Sequence, residues 1–374
     1  MDRRRFLAAG LALAAAGSAR AQQHPHPPLT PAPSSVAPFA RLREGGAMSD
    51  HLMPGEDAQR VADSPAPAGP PGRWIARAAL PLPRSEMAWA TAWAGRIHII
   101  GGYGEGRVDR TYHHVYDPQA DRWFTAAPLP RGANHVAVVA HDGRVYALGG
   151  FVEQNRLAIA DASAYDIASD RWSAVAPLPR PRGAAAVVAQ NGLIHLIGGA
   201  SDPKEERASV GWHEVYDPTS DRWSRRKALP GARDHIGCVA HDGLVHVIGG
   251  RFNTFEYNTD LHHVYIADRD TWETRKPMPT ARSGHGLVAY RGRLFAMGGE
   301  AGVIANGQIT EPRVFAQMES YDPALDSWQR HQPMITARHA VGAAAVGDWI
   351  YVAGGGAVTG GAVQSAVHEA FTLA

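Results

Sequence analysis

The sequence predicts an all-β fold, a closed ring of six repeated four-stranded units, and three observations predict it. First, a phrase recurs: "HHVYDPQADRWFTAAPLP" from His113, "HEVYDPTSDRWSRRKALP" from His213 and "MESYDPALDSWQRHQPM" from Met318. Second, a Gly-Gly pair ends each apolar run, at Gly101-Gly102, Gly149-Gly150, Gly198-Gly199, Gly249-Gly250, Gly298-Gly299 and Gly354-Gly355. The first glycines lie 48, 49, 51, 49 and 56 residues apart. Third, tryptophans keep the same beat at Trp74, Trp123, Trp172, Trp223, Trp272 and Trp328. A unit of this length cannot bury its own apolar face, so copies must stack on one another.

Each element of the unit has a local cause. In the second copy "HVAVVAHDGRVYALGG" reads as a strand, an Asp-Gly turn and a second strand, a strong short-range hairpin signal. The first strand of most copies is small: "AAAVVA" at 184–189, "GCVA" at 237–240 and "GAAAV" at 342–346. Strands that converge on one axis leave room only for Ala and Gly. The first copy departs from this with Trp89 and Trp93, which are expected to plug part of the channel. Gly-Gly allows a backbone turn and a close approach that a Cβ would prevent. "VYDP" then forms the third strand, Asp-Pro-x-x-Asp the turn, and Trp opens the fourth strand. Tyr and Trp bury large areas and are expected to fill the gaps between units. The repeated phrase is therefore architecture, and its residues are not candidates for catalysis.

A period near 50 residues with Gly-Gly, Tyr-Asp and Trp landmarks resembles the kelch repeat over residues 73–374. The resemblance implies a six-bladed kelch-type β-propeller with one four-stranded blade per copy. Arg73-Trp74-Ile75 is a fourth-strand phrase with no Gly-Gly before it, and "SAVHEAFTLA" is a third-strand phrase with no Trp after it. Each end supplies what the other lacks, so the last blade is expected to be closed by an N-terminal strand around Trp74. A ring closed in this way leaves no blade edge free to pair with other chains.

Upstream of the repeats the composition changes. Residues 1–21, "MDRRRFLAAGLALAAAGSARA", have a basic start, a short Ala/Leu run and small residues before Gln22. They read as an export signal, and Arg3-Arg4 followed by Arg5-Phe6-Leu7 resembles the twin-arginine type. The expected location of the mature chain is periplasmic or secreted. Residues 22–72, rich in Pro and Ala, read as a flexible tether, and His24 and His26 within it make at best a weak metal site.

The 374 residues are 20% charged and 45% hydrophobic, ordinary for a chain that buries a core. The signal carries four arginines against one aspartate, a net +3, so its removal takes the formal +1 to −2. A chain of this charge points away from nucleic acid and anionic membranes as partners. The single cysteine, Cys238, rules out an internal disulfide and reads as a buried thiol in a small-residue strand.

Function is expected in the loops, because propeller cores are shared by unrelated activities. Arg182, Arg233, Arg282 and Arg338 each lie 16 residues before the first glycine of their pair, and Arg84, Arg131 and Arg180 occupy nearby loop positions. The kelch resemblance implies arginines at a pocket mouth, where guanidinium groups suit a carboxylate or sulfate. The alternative is that they bond loop carbonyls and hold blades together. Histidines follow at His135, His235, His285 and His339, and a second set comprises His113, His213, His262 and His368, with His114 and His263 adjacent. Each belongs to a different copy and no compact ligand spacing appears, so polar packing at strand ends is expected, with no metal and no other cofactor. Loops after Gly-Gly offer aromatic faces at Tyr103, Phe151, Trp212, Phe252, Phe255 and Tyr257. Aromatics beside arginines describe a site for a carbohydrate or another small polar or anionic ligand.

Three classes fit these residues. The expected one is a binding or interaction module for such a ligand or for a protein partner. The second is a sugar-processing enzyme similar to the six-bladed kelch sialate mutarotases, with Glu205, Glu206 or Glu256 as acid and base. The third, galactose oxidase, resembles a seven-bladed propeller with flanking domains and a Tyr-Cys copper site, which six copies and an inner-strand Cys238 argue against. Phosphate-binding Gly loops, Gly-x-Ser-x-Gly, His-Glu-x-x-His and Cys-x-x-Cys are all absent from the sequence.

Overall fold

A computed structural model describes residues 30–31, 58–86, 89–201, 208–253, 257–305 and 308–374. Among them, six antiparallel blade sheets follow one another along the chain, five of four strands and the fourth of five, with Thr30–Pro31 paired outside its last strand. From axis to rim, blade 1 is Ala90–Trp93, Arg96–Ile100, His113–Asp117 and Arg122–Thr125. Blade 2 is Ala137–His141, Arg144–Leu148, Ala162–Asp166 and Arg171–Ala174, and blade 3 is Ala186–Gln190, Leu193–Ile197, His213–Asp217 and Arg222–Arg226. Blade 4 is Gly237–His241, Leu244–Ile248, His262–Ile266 and Thr271–Thr274. Blade 5 is Gly286–Tyr290, Arg293–Met297, Met318–Asp322 and Ser327–His331. Blade 6 is Gly342–Val346, Trp349–Ala353 and His368–Leu373, with Gly72–Ala76 outermost.

The ring closes as the two chain ends predict. Gly72–Ala76 pairs antiparallel with His368–Leu373, Trp74 opposite Phe371. The inner strands pack side by side in order, and Gly342–Val346 returns to Ala90–Trp93. Trp89 is buried and its Nε1 donates to Ala185 O on blade 3 at 2.9 Å, so it does block part of the channel. Trp93 does not, because it sits at the turn between the first two strands and is 37% exposed.

The repeated phrase stitches neighbouring blades. Tyr116 Oη donates to Asp121 Oδ1 at 2.6 Å, and the same oxygen accepts the N–H of Ala78, where the chain leaves the outer strand of blade 6. Trp123 Nε1 donates to Ala78 O at 2.8 Å. Tyr165 with Asp170, Tyr216 with Asp221, Tyr265 with Asp270 and Tyr321 with Asp326 repeat the device. Trp172, Trp223, Trp272 and Trp328 likewise donate to the preceding connection. In the closing blade Trp74 keeps this bond, to Gln332 O, while Phe371 stands where the other blades have tyrosine.

Gly-Gly serves the same boundary. At Gly149 and Gly150 φ is 61° and 112°, and added Cβ atoms would lie 2.3 Å from Arg182 O and 2.7 Å from Asn134 O. The second glycine of every pair donates its N–H to the loop of the next blade, from Gly102 to Ala133 O through to Gly355 to Arg84 O.

Residues 58–72, read from composition as part of the tether, are held against the ring. Gln59–Val61 pairs in parallel with Gln308–Phe315, the outer arm of a hairpin that follows the fifth Gly-Gly. The Ser64 hydroxyl donates to Glu319, and Arg330 Nη1 donates to Ala66 O at 2.6 Å. The cause is an unpaired hairpin edge, which an extended chain can satisfy without any periodic pattern of its own. The signal and the remainder of the tether lie outside the described residues, apart from residues 30–31. No helix among the described residues is long and apolar enough to cross a membrane.

Candidate functional site

Antiparallel order puts two loop families on one face of the ring: those after Gly-Gly and those joining an outer strand to the next inner strand. The joining loops have a common three-residue core. Its members are Arg84-Ser85-Glu86, Ala133-Asn134-His135, Arg182-Gly183-Ala184, Arg233-Asp234-His235, Arg282-Ser283-Gly284 and Arg338-His339-Ala340. The third residue of each has φ between 50° and 61°. This left-handed turn aims it at the axis. The third residues also form a belt: His135 N–H donates to Glu86 O, Ala184 to His135, His235 to Ala184, Gly284 to His235 and Ala340 to Gly284, at 2.6 to 3.1 Å.

Inside the belt lies a small cavity lined by Glu86, His135, His235, His285 and Trp89. His135 Nε2 is 2.8 Å from Glu86 Oε2 and 3.0 Å from His235 Nε2. Burial alone would raise the Glu86 carboxyl, but the imidazole of His135, with His339 and His235 beyond it, holds it well below the usual range. Arg251 Nη2 lies 3.2 Å from His235 Nε2, and its other nitrogens reach Asp234 and Glu300 at 3.3 Å. His339 Nδ1 lies 3.3 Å from Glu300 Oε2, which also accepts Gly360 N–H at 2.8 Å. Burial lowers His235 to about 3 and raises Glu300 to about 7.

The arginines expected to bind ligand are instead built into the blades. Arg182, Arg233, Arg282 and Arg338 are at most 1% exposed. Arg233 donates to Gly249 O, Pro230 O and Gly231 O at 2.9 to 3.1 Å. Arg338 donates to Gly354 O and Val367 O, while Arg182 and Arg282 pair with Glu214 and Glu319 at 2.6 and 2.7 Å. The constant 16-residue interval has this physical reason: the guanidinium ties the loop to carbonyls at or just before the Gly-Gly of its own blade. Arg131 alone of the predicted set is exposed, and it pairs with Asp161 at 3.4 Å.

The second histidine set is packing, as its strand-end positions suggest. His98 Nδ1 and His113 Nε2 are 2.9 Å apart, as are the same atoms of His195 and His213 and of His246 and His262. His113, His213, His262 and His368 each meet the tyrosine of the next blade edge-on, with centroids 4.4 to 4.5 Å apart. Cys238 is buried in the inner strand of blade 4, where burial pushes its thiol up.

Comparison with known sequences agrees with this architecture. Residues 133–179 match the profile described as Kelch motif. The chain is 28% identical over 316 residues to Kelch-like protein terF of Aspergillus terreus, covering 80% of this chain and 68% of that one. The chain carries a kelch motif and is similar to a kelch-like protein over most of its length. It is also 27% identical over 178 residues to mouse Kelch-like protein 35, and 42% identical over 181 residues to Kelch-like protein 40a of Danio rerio. The match spans 21% and 28% of the length of those two relatives.

On the kelch ring the predicted aromatics do not form one platform. Phe252 is buried, Tyr257 is half-buried, and the face of Trp212 is covered by the Arg180 guanidinium at 4.0 Å. Phe255, Glu205, Glu206 and Glu256 lie outside the described residues. Sequence spacing missed the Glu86, His135 and His235 cluster because its members come from blades 1, 2 and 4. Alignment of the third residue after the repeat arginine would have shown that only these three copies carry a side chain able to ligate or titrate.

Proposed function

We propose that this kelch ring is an exported recognition module that binds a protein partner through its loop face. Kelch repeats generally mediate protein–protein interaction. The observation that carries the reading is where apolar surface is left uncovered. Of the eight exposed large apolar side chains among the described residues, six sit in the two loop families of one face: Leu82, Val108, Leu157, Val303, Ile335 and Val363. Trp93 and Leu325 are on the other face. Apolar side chains gathered on one face mark an interaction surface, whereas scattered ones would carry no meaning. A small anionic ligand loses its main support, since the guanidinium groups that were to bind it are occupied by backbone and carboxylates. The basic start of residues 1–21 supports export by the twin-arginine route.

The test is proximity capture in the producing cell with the full chain as bait. The triple variant Val108→Asp, Leu157→Asp, Val303→Asp is expected to lose a partner that Leu325→Asp retains. Equal capture by all three baits would remove the loop face from the proposal. For export, Arg3→Lys with Arg4→Lys is expected to leave uncleaved precursor inside. Normal amounts of mature chain beginning at Gln22 outside the cytoplasm would assign an ordinary secretory route.

A further inference from the structure

The axial cluster has a property that packing does not require. Asn134 Nδ2 donates to Asp109 Oδ1 at 2.6 Å and to Phe151 O at 3.0 Å, which turns the amide oxygen toward His135 Nδ1 at 2.5 Å. His135 must therefore donate from Nδ1. His235 Nδ1 likewise faces Asp234 Oδ1, and the other oxygen of that carboxylate accepts the Ser209 hydroxyl. Each imidazole uses its Nδ1–H on a fixed acceptor and turns Nε2 inward, the arrangement that a carboxylate or amide imposes on a metal-ligating histidine; the His235 Nε2 accepts from Arg251 Nη2 at 3.2 Å, a bond that a metal ion would displace. One ligand atom from each of Glu86, His135 and His235 lies within 4.8 Å of the other two.

We propose that Glu86, His135 and His235 bind one divalent first-row transition-metal ion, zinc(II) or a close analogue, on the axis of the ring. Two imidazoles and a carboxylate suit such an ion better than magnesium or calcium, which prefer oxygen throughout. Tetrahedral bonds of about 2.0 to 2.1 Å place neighbouring ligand atoms about 3.3 to 3.4 Å apart, so the 2.8 and 3.0 Å contacts found here open by about 0.3 to 0.6 Å to admit the ion. All three residues are more than nine-tenths buried. The cavity they line has room of about 20 Å³, enough for one water-sized occupant. The charged groups next to the cluster are Asp234, Glu300 and Arg251. Three protein ligands leave a coordination position open toward the cavity, as in zinc sites that bind a small ligand.

The experiment uses the full-length chain, stripped with chelator and titrated with zinc(II), cobalt(II) and magnesium(II) by calorimetry and elemental analysis. One zinc or cobalt ion per chain is expected, with no comparable uptake of magnesium. Glu86→Gln, His135→Gln and His235→Gln should each weaken zinc binding at least about tenfold, and the positioning variant Asn134→Ala by about 10- to 100-fold. His24→Gln with His26→Gln should leave it unchanged. Since a buried variant can lose its fold, X-ray absorption of zinc-loaded wild type gives a second reading, with two imidazole nitrogens expected in the first coordination sphere. Uptake far below one ion per chain overturns the proposal. So does loss of binding only in the His24 and His26 variant, or a spectrum without imidazole.

Discussion

At the scale of single residues, identical side chains have opposite uses according to what surrounds them. Arg282 and Arg131 sit in equivalent loops on one face, yet the first is fully buried against Glu319 and three loop or strand oxygens while the second is half exposed beside Asp161. Removing one partner of a buried ion pair leaves an uncompensated charge, so Arg282→Ala should cost about 3 to 5 kcal/mol. Arg131→Ala should cost under about 1 kcal/mol, the range of an exposed pair. Urea denaturation of the two variants checks this, and similar midpoints would contradict the structural assignment. The Tyr–Asp bond gives a smaller reading. Tyr216→Phe removes one hydroxyl bonded to Asp221 at 2.7 Å and should cost about 1 kcal/mol. Asp221 also accepts Ala176 N–H from the previous connection, so Asp221→Ala should cost more than Tyr216→Phe.

At the scale of elements, the histidines packed between blades make stability depend on pH. Burial lowers His98, His195 and His368 to about 4 and His213 and His262 to about 3, from an ordinary 6.5, and His113 lies well below that value. The folded chain keeps these rings neutral where the unfolded chain would protonate them. Below pH 6.5 the unfolded state therefore binds more protons, and stability falls as pH falls toward 4. Glu300, raised from 4.5 to about 7, acts in the opposite sense over that interval, one group against six. Denaturant midpoints from pH 7.5 to 4.5 should decline steadily with acid. A flat profile would mean that the rings are charged in the fold, which the edge-on tyrosine contacts do not accommodate.

At the scale of the whole molecule, ring closure rests on a strand contributed by the far end of the chain. Deleting residues 22–71 removes Gln59–Val61 and the contacts of Ser64 and Ala66 with blade 5. Its melting temperature should fall modestly, since a hairpin edge and one buried Ala are lost. Deleting residues 22–80 also removes the outer strand of blade 6, Trp74 against Phe371, and the connection in which Ala78 O accepts from Trp123 of blade 1 and Leu80 N–H donates to Ala366 O of blade 6. That truncation should fall much further and expose a blade edge prone to pairing with other chains. Equal melting temperatures for the two truncations would place the closing strand elsewhere.

The chain's repeats were sufficient to determine the fold class, the six-copy register and the closing strand, because each landmark acts through a local cause or a contact with the adjacent copy. Tyr, Asp, Trp and Gly-Gly mark the same boundary in each repeat, and a periodic contact leaves a periodic trace. The roles of the arginines were not legible in this way: a 16-residue interval fits a ligand ring or a carbonyl clamp, and only burial separates them. Residues 58–72 were illegible for a related reason, since a strand recruited by another element's free edge needs no pattern of its own. The axial cluster is the extreme case. His135 and His235 are 100 residues apart, and no spacing rule connects them with Glu86. They meet because a closed ring carries the third residue of every joining loop to one axis, so the site exists only once the whole molecule has folded.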